Sequence, residues 1–432
     1  MINIENPEIN EKGHLVVGGV DVVDLAKQYG TPLYVMDEET LVENMRKFKN
    51  SIDKFYNQNG RVLYASKTFC CKESIRIASA EGLGIDVVSG GELYTAIKAG
   101  IDTSKIVFHG NNKSIQELNM AIDNKVGRII VDSMYELNLL NEIAKEKNVV
   151  VDIMLRIKPG IDVHTHDYIK TGQIDSKFGL TLENKEAEEA VKEAIGKAYI
   201  NLVGLHCHIG SQIFDVEPFE DTANIMLNFI ADIKNKYNYE ILELNLGGGF
   251  GIMYTSEDDP VAYEKYLELI SRVVIETCSK LNIKVPFIYI EPGRSISGPA
   301  GITLYTVGTI KEIQGIRKYV SIDGGMTDNP RYTLYQAKYT ARVANRMNSA
   351  IDDIITLAGK CCESGDLLGE NMKIQTPNPL DIIAVYSTGA YNYSMSSNYN
   401  RILKPPVVMV KDGESRIIVK GETFEDLIRN DI

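Results

Sequence analysis

Eight short apolar runs, most separated by stretches with helical spacing of apolar residues, constrain the fold of this chain more than any other feature. The first four begin about 22 residues apart, close to the minimum for a strand–helix–strand unit. The eight predicted strands are Val62–Ser66, Ile85–Ser89, Ile106–His109, Arg128–Asp132, Val149–Ile157, Leu202–His208, Ile241–Leu246 and Pro286–Ile290. Alternating strands and helices pair in parallel, and eight units favour a closed (β/α)8 barrel over a doubly wound open sheet.

After about Gly298 the pattern changes to short β-rich runs between Gly, Pro and Asn turns, which indicates a mostly antiparallel β domain. These runs are Thr303–Ile313, Tyr319–Ile322, Asp381–Val385, Val407–Val410 and Glu414–Lys420. The early runs Leu15–Val17 and Leu33–Met36 could join them. We therefore predict an α/β chain in which a TIM-like barrel occupies 37–298 and a discontinuous β domain is built from 1–36 and 299–432.

Charge and hydropathy narrow the class of protein. The 432 residues carry a net charge of −13 and no basic stripe, so nucleic acid is not an expected partner. No run of eighteen apolar residues is present, so no membrane span is expected. The N-terminus shows no secretory signal. We expect a cytosolic enzyme that acts on a small molecule.

Chemically capable residues gather where the predicted barrel strands end, which is where barrel enzymes place their catalytic groups. These residues are Lys67, Asp86, Ser89, His109, Arg156, His208, Gly247–Gly249 and Glu291. Desolvation would make Lys67 an amine nucleophile, although a surface lysine that caps the strand fits the spacing equally well. The glycines at 247–249 would let backbone N–H groups approach a phosphate; a simple tight turn is the alternative, and the dinucleotide pattern G-x-G-x-x-G is absent.

The segment Glu291–Arg294 follows the last barrel strand. A buried carboxylate needs a cationic partner, which could be Arg294 or a protonated pyridine nitrogen, and the latter would make the ring an electron sink. His206 and His208 lie on the same face of a strand. A metal site is conceivable there, but an obvious third ligand is missing. An imidazole ring stacked on a flat cofactor is the other interpretation, and it suits one of the two histidines. His14, His164 and His166 are expected in loops or at the surface.

Six cysteines occur, four of them in the adjacent pairs Cys70–Cys71 and Cys361–Cys362. Neighbouring thiols project poorly onto one ion, and no C-x-x-C spacing is present. We predict reduced thiols and no metal site.

Together these motifs resemble the fold-type III pyridoxal-phosphate decarboxylases, which include enzymes acting on diaminopimelate, ornithine and arginine. The motifs follow the family's order over nearly the whole chain: Tyr64–Lys67, Asp86–Leu93, His109–Asn111, His206–Gln212, Gly247–Gly249, Glu291–Arg294, Cys362–Asp366 and Gly389–Tyr391. One departure is Thr68, where the family pattern leads us to expect a small apolar residue.

The resemblance implies a barrel that binds pyridoxal 5′-phosphate as a Schiff base on Lys67, with His208 stacked on the ring and Glu291 paired with its nitrogen. Asp86 and Arg156 would form a polar shell around Lys67. The implied phosphate ligands are Ser211, Gly248, Gly249, the Gly293–Arg294 backbone and Tyr391. The resemblance also implies a head-to-tail homodimer with shared active sites, in which Cys362 of the second subunit is the proton donor.

Within the family, the segments Pro159–Gly179, Asp323–Tyr335 and Cys361–Asp366 resemble the branch that converts meso-diaminopimelate to L-lysine. That substrate has a carboxylate and an ammonium at its far end, and arginines would bind the carboxylate as forked donors. The expected substrate ligands are Arg294, Arg331, Tyr335, Tyr391 and, from the partner chain, Glu363. The rival functions are an ornithine or arginine decarboxylase, an alanine-racemase-type enzyme and a non-catalytic pyridoxal-phosphate carrier.

Overall fold

The computed structural model describes residue 2 and residues 4–161 and 176–432. His164, His166 and most of the segment 159–179 lie outside the described residues. The chain divides into two compact units. The barrel unit comprises Met45–Gly251 and Pro260–Gly293, and the sheet unit comprises Met1–Asn44, Ile252–Asp259 and Arg294–Ile432. Among the helices described, none combines the length and apolar character needed to cross a bilayer.

Among the described residues of the barrel unit, eight parallel strands form the closed wall, and the predicted (β/α)8 barrel is confirmed. The strands are Gly60–Ala65, Gly84–Val87, Ile106–Phe108, Arg128–Val131, Val151–Lys158, Ile200–His206, Glu243–Asn245 and Phe287–Ile290. The eighth strand pairs with the first, with Ile288 opposite Gly60 and Ile290 opposite Val62, so the sheet closes on itself. Each strand lies within two residues of its predicted bounds at either end.

One long helix precedes the first barrel strand, further helices alternate with the strands after it, and several begin at a capping side chain. Their bounds are Glu38–Phe55, Lys72–Ala80, Gly90–Ala99, Ile115–Asp123, Met134–Glu146, Glu186–Gly196, Glu217–Tyr237 and Tyr263–Leu281. Ser89 and Ser133 each accept a hydrogen bond from the backbone N–H three residues later, the usual N-cap geometry. Ser89 therefore begins a helix rather than ending the second strand as predicted.

Side chains from five strands fill the barrel interior. Leu63, Val107, Ile130, Met154 and Tyr289 form one buried cluster. Large apolar residues that meet at the axis make the barrel a packed core rather than a pore. The axis of the barrel is therefore apolar, and the site residues described below lie at the strand ends.

The sheet unit is built around a nine-stranded sheet whose strands come from both ends of the chain. The strands are Leu33–Asp37, Gly301–Ile313, Arg317–Ile322, Ala341–Val343, Asp353–Ala358, Leu367–Ile374, Ile382–Val385, Val407–Lys411 and Glu414–Val419. The N-terminal strand Leu33–Asp37 lies between Gly301–Ile313, to which it runs antiparallel, and Val407–Lys411, to which it runs parallel. Most of the other pairings are antiparallel, as predicted.

A second, smaller sheet also belongs to this unit. The run Leu15–Val17 lies in the sheet unit but outside its large sheet, because Val16–Val17 pairs with Val20–Asp21 in a separate two-stranded sheet. The sequence did not indicate the strands at 341–343, 353–358 and 367–374, nor the membership of 252–259 in this unit. The remaining short elements are the strand Leu180–Thr181 and the helices Val22–Tyr29, Arg294–Ser297, Arg331–Tyr335 and Phe424–Ile428.

Candidate active site

Lys67 lies in a single helical turn directly after the first barrel strand. The turn is held by side-chain hydrogen bonds: the Thr68 hydroxyl donates to the Ala65 carbonyl at 2.9 Å, and the Tyr64 hydroxyl donates to the Phe69 carbonyl at 2.9 Å. Thr68, the departure from the family pattern, thus closes the turn that carries Lys67. These bonds fix the backbone from which the lysine amine projects.

Glu92, which sequence reasoning did not single out, ties the first two strand ends together. Its Oε2 accepts hydrogen bonds from the Ser66 hydroxyl at 3.1 Å and from the Val88 N–H at 2.8 Å. Burial raises the pKa of Glu92 above its usual value, although these two hydrogen bonds oppose the shift. The segment Asp86–Leu93 contained this residue, but nothing in its spacing indicated the contact with Ser66.

Asp86, at the end of the second strand, is a buried carboxyl group with little compensation. It is 3% exposed, and among the described residues its Oδ1 has no hydrogen-bond partner. Burial raises its pKa to about 7; Glu291 adds to the shift, while His109 and Lys67 oppose it. A carboxyl group that titrates near neutrality beside a lysine is typical of a catalytic site.

Glu291 receives three side-chain contacts at the end of the eighth strand. Its Oε1 lies 2.7 Å from His109 Nε2 and accepts a hydrogen bond from the Asn245 amide at 2.6 Å, and its Oε2 lies 3.4 Å from His206 Nε2. Burial alone would raise the pKa of Glu291, but the charge and hydrogen bonds of the two histidines outweigh it and hold the pKa well below its usual value. Glu291 is therefore a buried, ionised carboxylate.

His109, His206 and Glu291 also have the proximity of a metal-binding triad. Their ligand atoms all lie within 4.8 Å of one another. This group differs from the pair His206 and His208 considered from the sequence, because His208 is not part of it. Burial lowers the pKa of His206 to about 3, and Glu291 opposes that shift. The hydrogen bonds to Glu291 give both rings a partner without an ion.

The glycine loop after the seventh strand packs directly against the neighbouring strand ends. The Gly248 N–H donates to His208 Nδ1 at 3.2 Å. A Cβ on Gly248 would lie 2.1 Å from the Glu291 carbonyl oxygen, and Gly249 has a φ of +114°. Only glycine fits these positions, and a loop without Cβ atoms can bring its backbone close to a phosphate.

His208 follows the sixth strand and is half-buried. Burial lowers its pKa well below the usual value, and the nearby Lys67 and Arg156 add to the shift. Because its Nδ1 accepts the Gly248 N–H, the neutral ring carries its proton on Nε2. Ser211 lies three residues further along the chain. Gly293 packs against the turn that carries Lys67, and a Cβ on Gly293 would lie 2.7 Å from Thr68 Cγ2.

Arg156, on the fifth strand, is buried between a carboxylate and an aromatic ring. Its Nε lies 3.9 Å from Asp132 Oδ2, and its guanidinium lies 4.3 Å from the centre of the Phe178 ring. Asp132 also accepts the Gly179 N–H at 2.8 Å. Burial lowers the pKa of Arg156, and Asp132 opposes that shift.

In the sheet unit, two buried arginines converge on one tyrosine. The Tyr254 hydroxyl accepts hydrogen bonds from Arg294 at 2.6 Å and from Arg331 at 2.9 Å. Both arginines are 6% exposed. Arg331 also donates to the Tyr339 hydroxyl at 3.0 Å, and no carboxylate of the described residues forms an ion pair with it. Two buried guanidinium groups that meet among hydroxyl groups suit an anionic ligand, which charge-assisted hydrogen bonds would hold.

Aromatic rings complete this cluster. The Tyr391 ring lies 4.8 Å from the Arg294 guanidinium and 5.4 Å from that of Arg331, and the Tyr335 ring lies 5.9 Å from Arg331. Four sequence-predicted residues (Arg294, Arg331, Tyr335 and Tyr391) thus come together. Tyr254 and Tyr339 were missed; the position of Tyr254 shortly after the glycine loop was the only available signal.

Cys362 and Glu363 are both exposed on the chain. Two hydrogen bonds fix the backbone of their loop. The Cys362 N–H donates to Asn400 Oδ1 at 2.6 Å, and the Asp366 N–H donates to the Glu363 carbonyl at 3.1 Å. All six cysteines are free thiols.

The fold and the chemistry of the barrel's polar end agree with a family assignment. Residues 38–298 match the family model described as pyridoxal-dependent decarboxylase, pyridoxal binding domain. The barrel thus defines a decarboxylase that uses pyridoxal 5′-phosphate. Its residues fit that cofactor, because they supply a lysine amine, an ionised buried carboxylate and a glycine loop that no Cβ could enter.

Close relatives refine the assignment. Diaminopimelate decarboxylase of Bacillus subtilis is 49% identical over 98% of this chain and 96% of its own length, and that of Bacillus methanolicus is 50% identical over 96% and 95%. A crystal structure of diaminopimelate decarboxylase from M. jannaschii with L-lysine has a TM-score of 0.91 at 35% identity and covers 99% of this chain and 98% of that one. The chain belongs to the family of these diaminopimelate decarboxylases.

Proposed function

We propose that this chain removes one carboxylate of meso-2,6-diaminopimelate as CO2 and releases L-lysine, the last step of lysine biosynthesis. The observation that carries the choice of substrate is the pair Arg294 and Arg331 on Tyr254. A substrate with a second carboxylate would neutralise this cluster with charge-assisted hydrogen bonds. The diamine tail of an ornithine-type substrate would be repelled by the same two arginines.

In the barrel unit we assign Lys67 to the covalent attachment of the cofactor. When bound, the cofactor supplies an electron sink for the carbon that loses CO2. Glu291, held ionised by His109 and His206, would accept the N–H of the cofactor ring. His208 would lie against the ring face, with its orientation set by the Gly248 N–H.

The phosphate of the cofactor is assigned to Ser211, Gly248 and Gly249, to the Gly293–Arg294 backbone and to Tyr391. The glycine loop supports this assignment. A Cβ on Gly248 would collide with the Glu291 carbonyl, so only glycine lets the loop lie this close to the strand ends where the cofactor is assigned. Asp86 and Arg156 would form a polar shell around Lys67, with Asp86 able to hold or release a proton near neutral pH.

The proton that replaces CO2 is assigned to Cys362 of a second copy of the chain, and the distal ammonium of the substrate is assigned to Glu363 of that copy. Both residues are exposed on a single chain, as expected of groups that serve another subunit. The active enzyme would then be a homodimer with shared sites.

The test is CO2 release from four amino acids by the cofactor-loaded protein: meso-diaminopimelate, LL-diaminopimelate, ornithine and arginine. We expect rapid release from the meso isomer with stoichiometric L-lysine, and kcat/KM at least about a hundredfold lower for ornithine and arginine, because they would leave the buried arginine pair without its anion. Equal or faster turnover of ornithine would overturn the substrate assignment. Exchange of the α-hydrogen without CO2 release would indicate a racemase.

A further inference from the structure

One buried carboxylate in the sheet unit is shared by two loops of different function. Asp366 is 3% exposed. Its Oδ1 accepts the Met326 N–H at 2.6 Å and its Oδ2 accepts the Cys361 N–H at 2.7 Å. The first donor belongs to the loop 323–330, which leads into Arg331, and the second immediately precedes Cys362.

The backbone around Asp366 is built to admit this carboxylate. A Cβ on Gly325 would lie 2.5 Å from Asp366 Oδ2, and a Cβ on Gly359 would lie 2.2 Å from the same atom. One glycine comes from each loop. Both loops therefore approach the carboxylate more closely than any other residue type would allow.

Two further hydrogen bonds join the same loops. The Lys360 N–H donates to the Gly324 carbonyl at 2.9 Å, and the Thr333 hydroxyl donates to the Gly365 carbonyl at 3.0 Å. Thr333 lies in the helix that begins at Arg331. The arginine loop (323–335) and the cysteine loop (359–366) are thus connected at three points, and Asp366 makes the central one.

We propose that Asp366 is a positioning residue for two active sites at once: through Met326 it positions Arg331, and through Cys361 it positions Cys362. This inference rests on the proposed function, in which Arg331 serves the chain's own site and Cys362 serves the partner's site. A single side chain then sets substrate affinity in one site and the rate of protonation in the other.

Mixed dimers can separate the two roles. A Lys67→Ala chain has no attachment point for the cofactor, and a Cys362→Ala chain has no proton donor. Randomly paired, they should recover about a quarter of wild-type activity, because half of the dimers are mixed and each has one working site. That site uses Lys67 and Arg331 of the Cys362→Ala chain and Cys362 of the Lys67→Ala chain. Failure to recover activity would refute the shared site of the proposed function, irrespective of Asp366.

Asp366→Ala is then added to one chain at a time. On the Cys362→Ala chain, it should raise KM for diaminopimelate about tenfold and leave kcat nearly unchanged, because the substrate arginine is displaced. On the Lys67→Ala chain, it should lower kcat about tenfold, because the proton donor is displaced. Glu363 lies in the same loop, so KM can rise in this placement as well, and the fall in kcat is the readout that separates the two placements. An effect from only one of the two placements would overturn the proposal and assign Asp366 to a single loop.

A matched control is Asp328→Ala. Asp328 is also buried, and its carboxylate accepts hydrogen bonds from Gly325 and Tyr305. Among the described residues it has no hydrogen bond to the cysteine loop, although the charge of Asp366 acts on it. It should change KM when placed on the Cys362→Ala chain and change nothing when placed on the Lys67→Ala chain. If Asp366→Ala does not fold, Thr333→Val is the second variant, because it removes the hydroxyl hydrogen bond between the same two loops. It should change KM in one placement and kcat in the other, by smaller factors than Asp366→Ala. The absence of both changes would then count against the proposal.

Discussion

Lys67 is set in a turn that Thr68 and Tyr64 close by hydrogen bonds, so its backbone does not depend on its own side chain. Lys67→Ala should therefore fold but lose the covalent cofactor and at least about 10³-fold in turnover. The measurement is reduction of the cofactor-loaded protein with borohydride followed by peptide mass analysis, together with CO2 release. Lys72→Ala, an exposed lysine five residues later, is the control and should keep both properties. Decarboxylation at the wild-type rate by Lys67→Ala would remove this residue from the mechanism.

The ionised state of Glu291 is a second property that belongs to single residues. Glu291→Gln keeps the shape but not the charge, so the cofactor ring would lose the anion that holds its proton. We expect kcat to fall about 10²- to 10³-fold with cofactor content retained. His109→Asn keeps a hydrogen-bond donor near Glu291 and should cost much less. Similar kcat values for Glu291→Gln and the wild type would show that the charge is not needed.

Asp328 gives a prediction about stability and pH. Burial raises its pKa to about 7, while its hydrogen bond from Tyr305 opposes the shift. Since the folded pKa lies above the unfolded value near 3.8, the contribution of Asp328 to stability is complete below about pH 4 and is lost as the pH rises to about 7. Asp328→Asn does not titrate at this position. The free energy of unfolding of the variant minus that of the wild type should therefore increase by about 1 kcal/mol for each unit by which the pH rises between those limits. Urea denaturation at pH 5, 6, 7 and 8 measures the difference; a constant difference would contradict the assigned pKa.

The sequence located the residues at the barrel strand ends but not their partners. Lys67, Asp86, His208 and Glu291 were found because each follows an apolar run. The contacts of Glu291 with Asn245 and His109 depend on which strands become neighbours when the barrel closes and on their register. Those distances are properties of the closed sheet, and no local spacing encodes them.

At the scale of elements, local signals were sufficient for the barrel and insufficient for part of the sheet. Each barrel unit has an apolar strand, a polar cap and an amphipathic helix in sequence, so the alternation identifies it. The strand Leu367–Ile374 alternates only weakly between polar and apolar residues, and Asp353–Ala358 exposes Ile354 while it buries Thr356. The two strands pair with each other. Their pairing is decided by burial against the rest of the unit, which the sequence pattern does not reveal.

The glycine loop yields a prediction at this scale. Gly248→Ala would place a Cβ against the Glu291 carbonyl, so the loop must move away from the strand ends. We expect the affinity for pyridoxal 5′-phosphate to fall at least about tenfold, measured by titrating cofactor into cofactor-free protein and following its absorbance. Gly196→Ala is the matched control, because nothing lies within 4 Å of its added Cβ; it should bind cofactor like the wild type. Unchanged affinity in Gly248→Ala would show that this loop does not hold the phosphate.

For the whole molecule, the order of segments along the chain matters as much as the strands themselves. The sheet unit takes its strand Leu33–Asp37 from the N-terminus and the segment Ile252–Asp259, with Tyr254, from the middle of the barrel sequence. Composition identified a change near residue 298 but gave no sign of the middle segment. The segment Ile252–Asp259 is assigned to the sheet unit by its contacts. It carries Tyr254, the hydroxyl of which accepts hydrogen bonds from Arg294 and Arg331.

The last prediction concerns the assembly. A proton donor at a reaction centre should be sheltered from water, yet Cys362 and Glu363 are exposed on the single chain. If a second copy covers them, activity per chain must follow the fraction of dimer. Specific activity should fall as the protein is diluted below its dissociation constant, by mass action, while the cofactor remains attached because Lys67, Glu291 and the glycine loop belong to one chain. Turnover and sedimentation measured on the same dilution series test this, and fully active monomers would assign the proton donor to the chain that carries the cofactor.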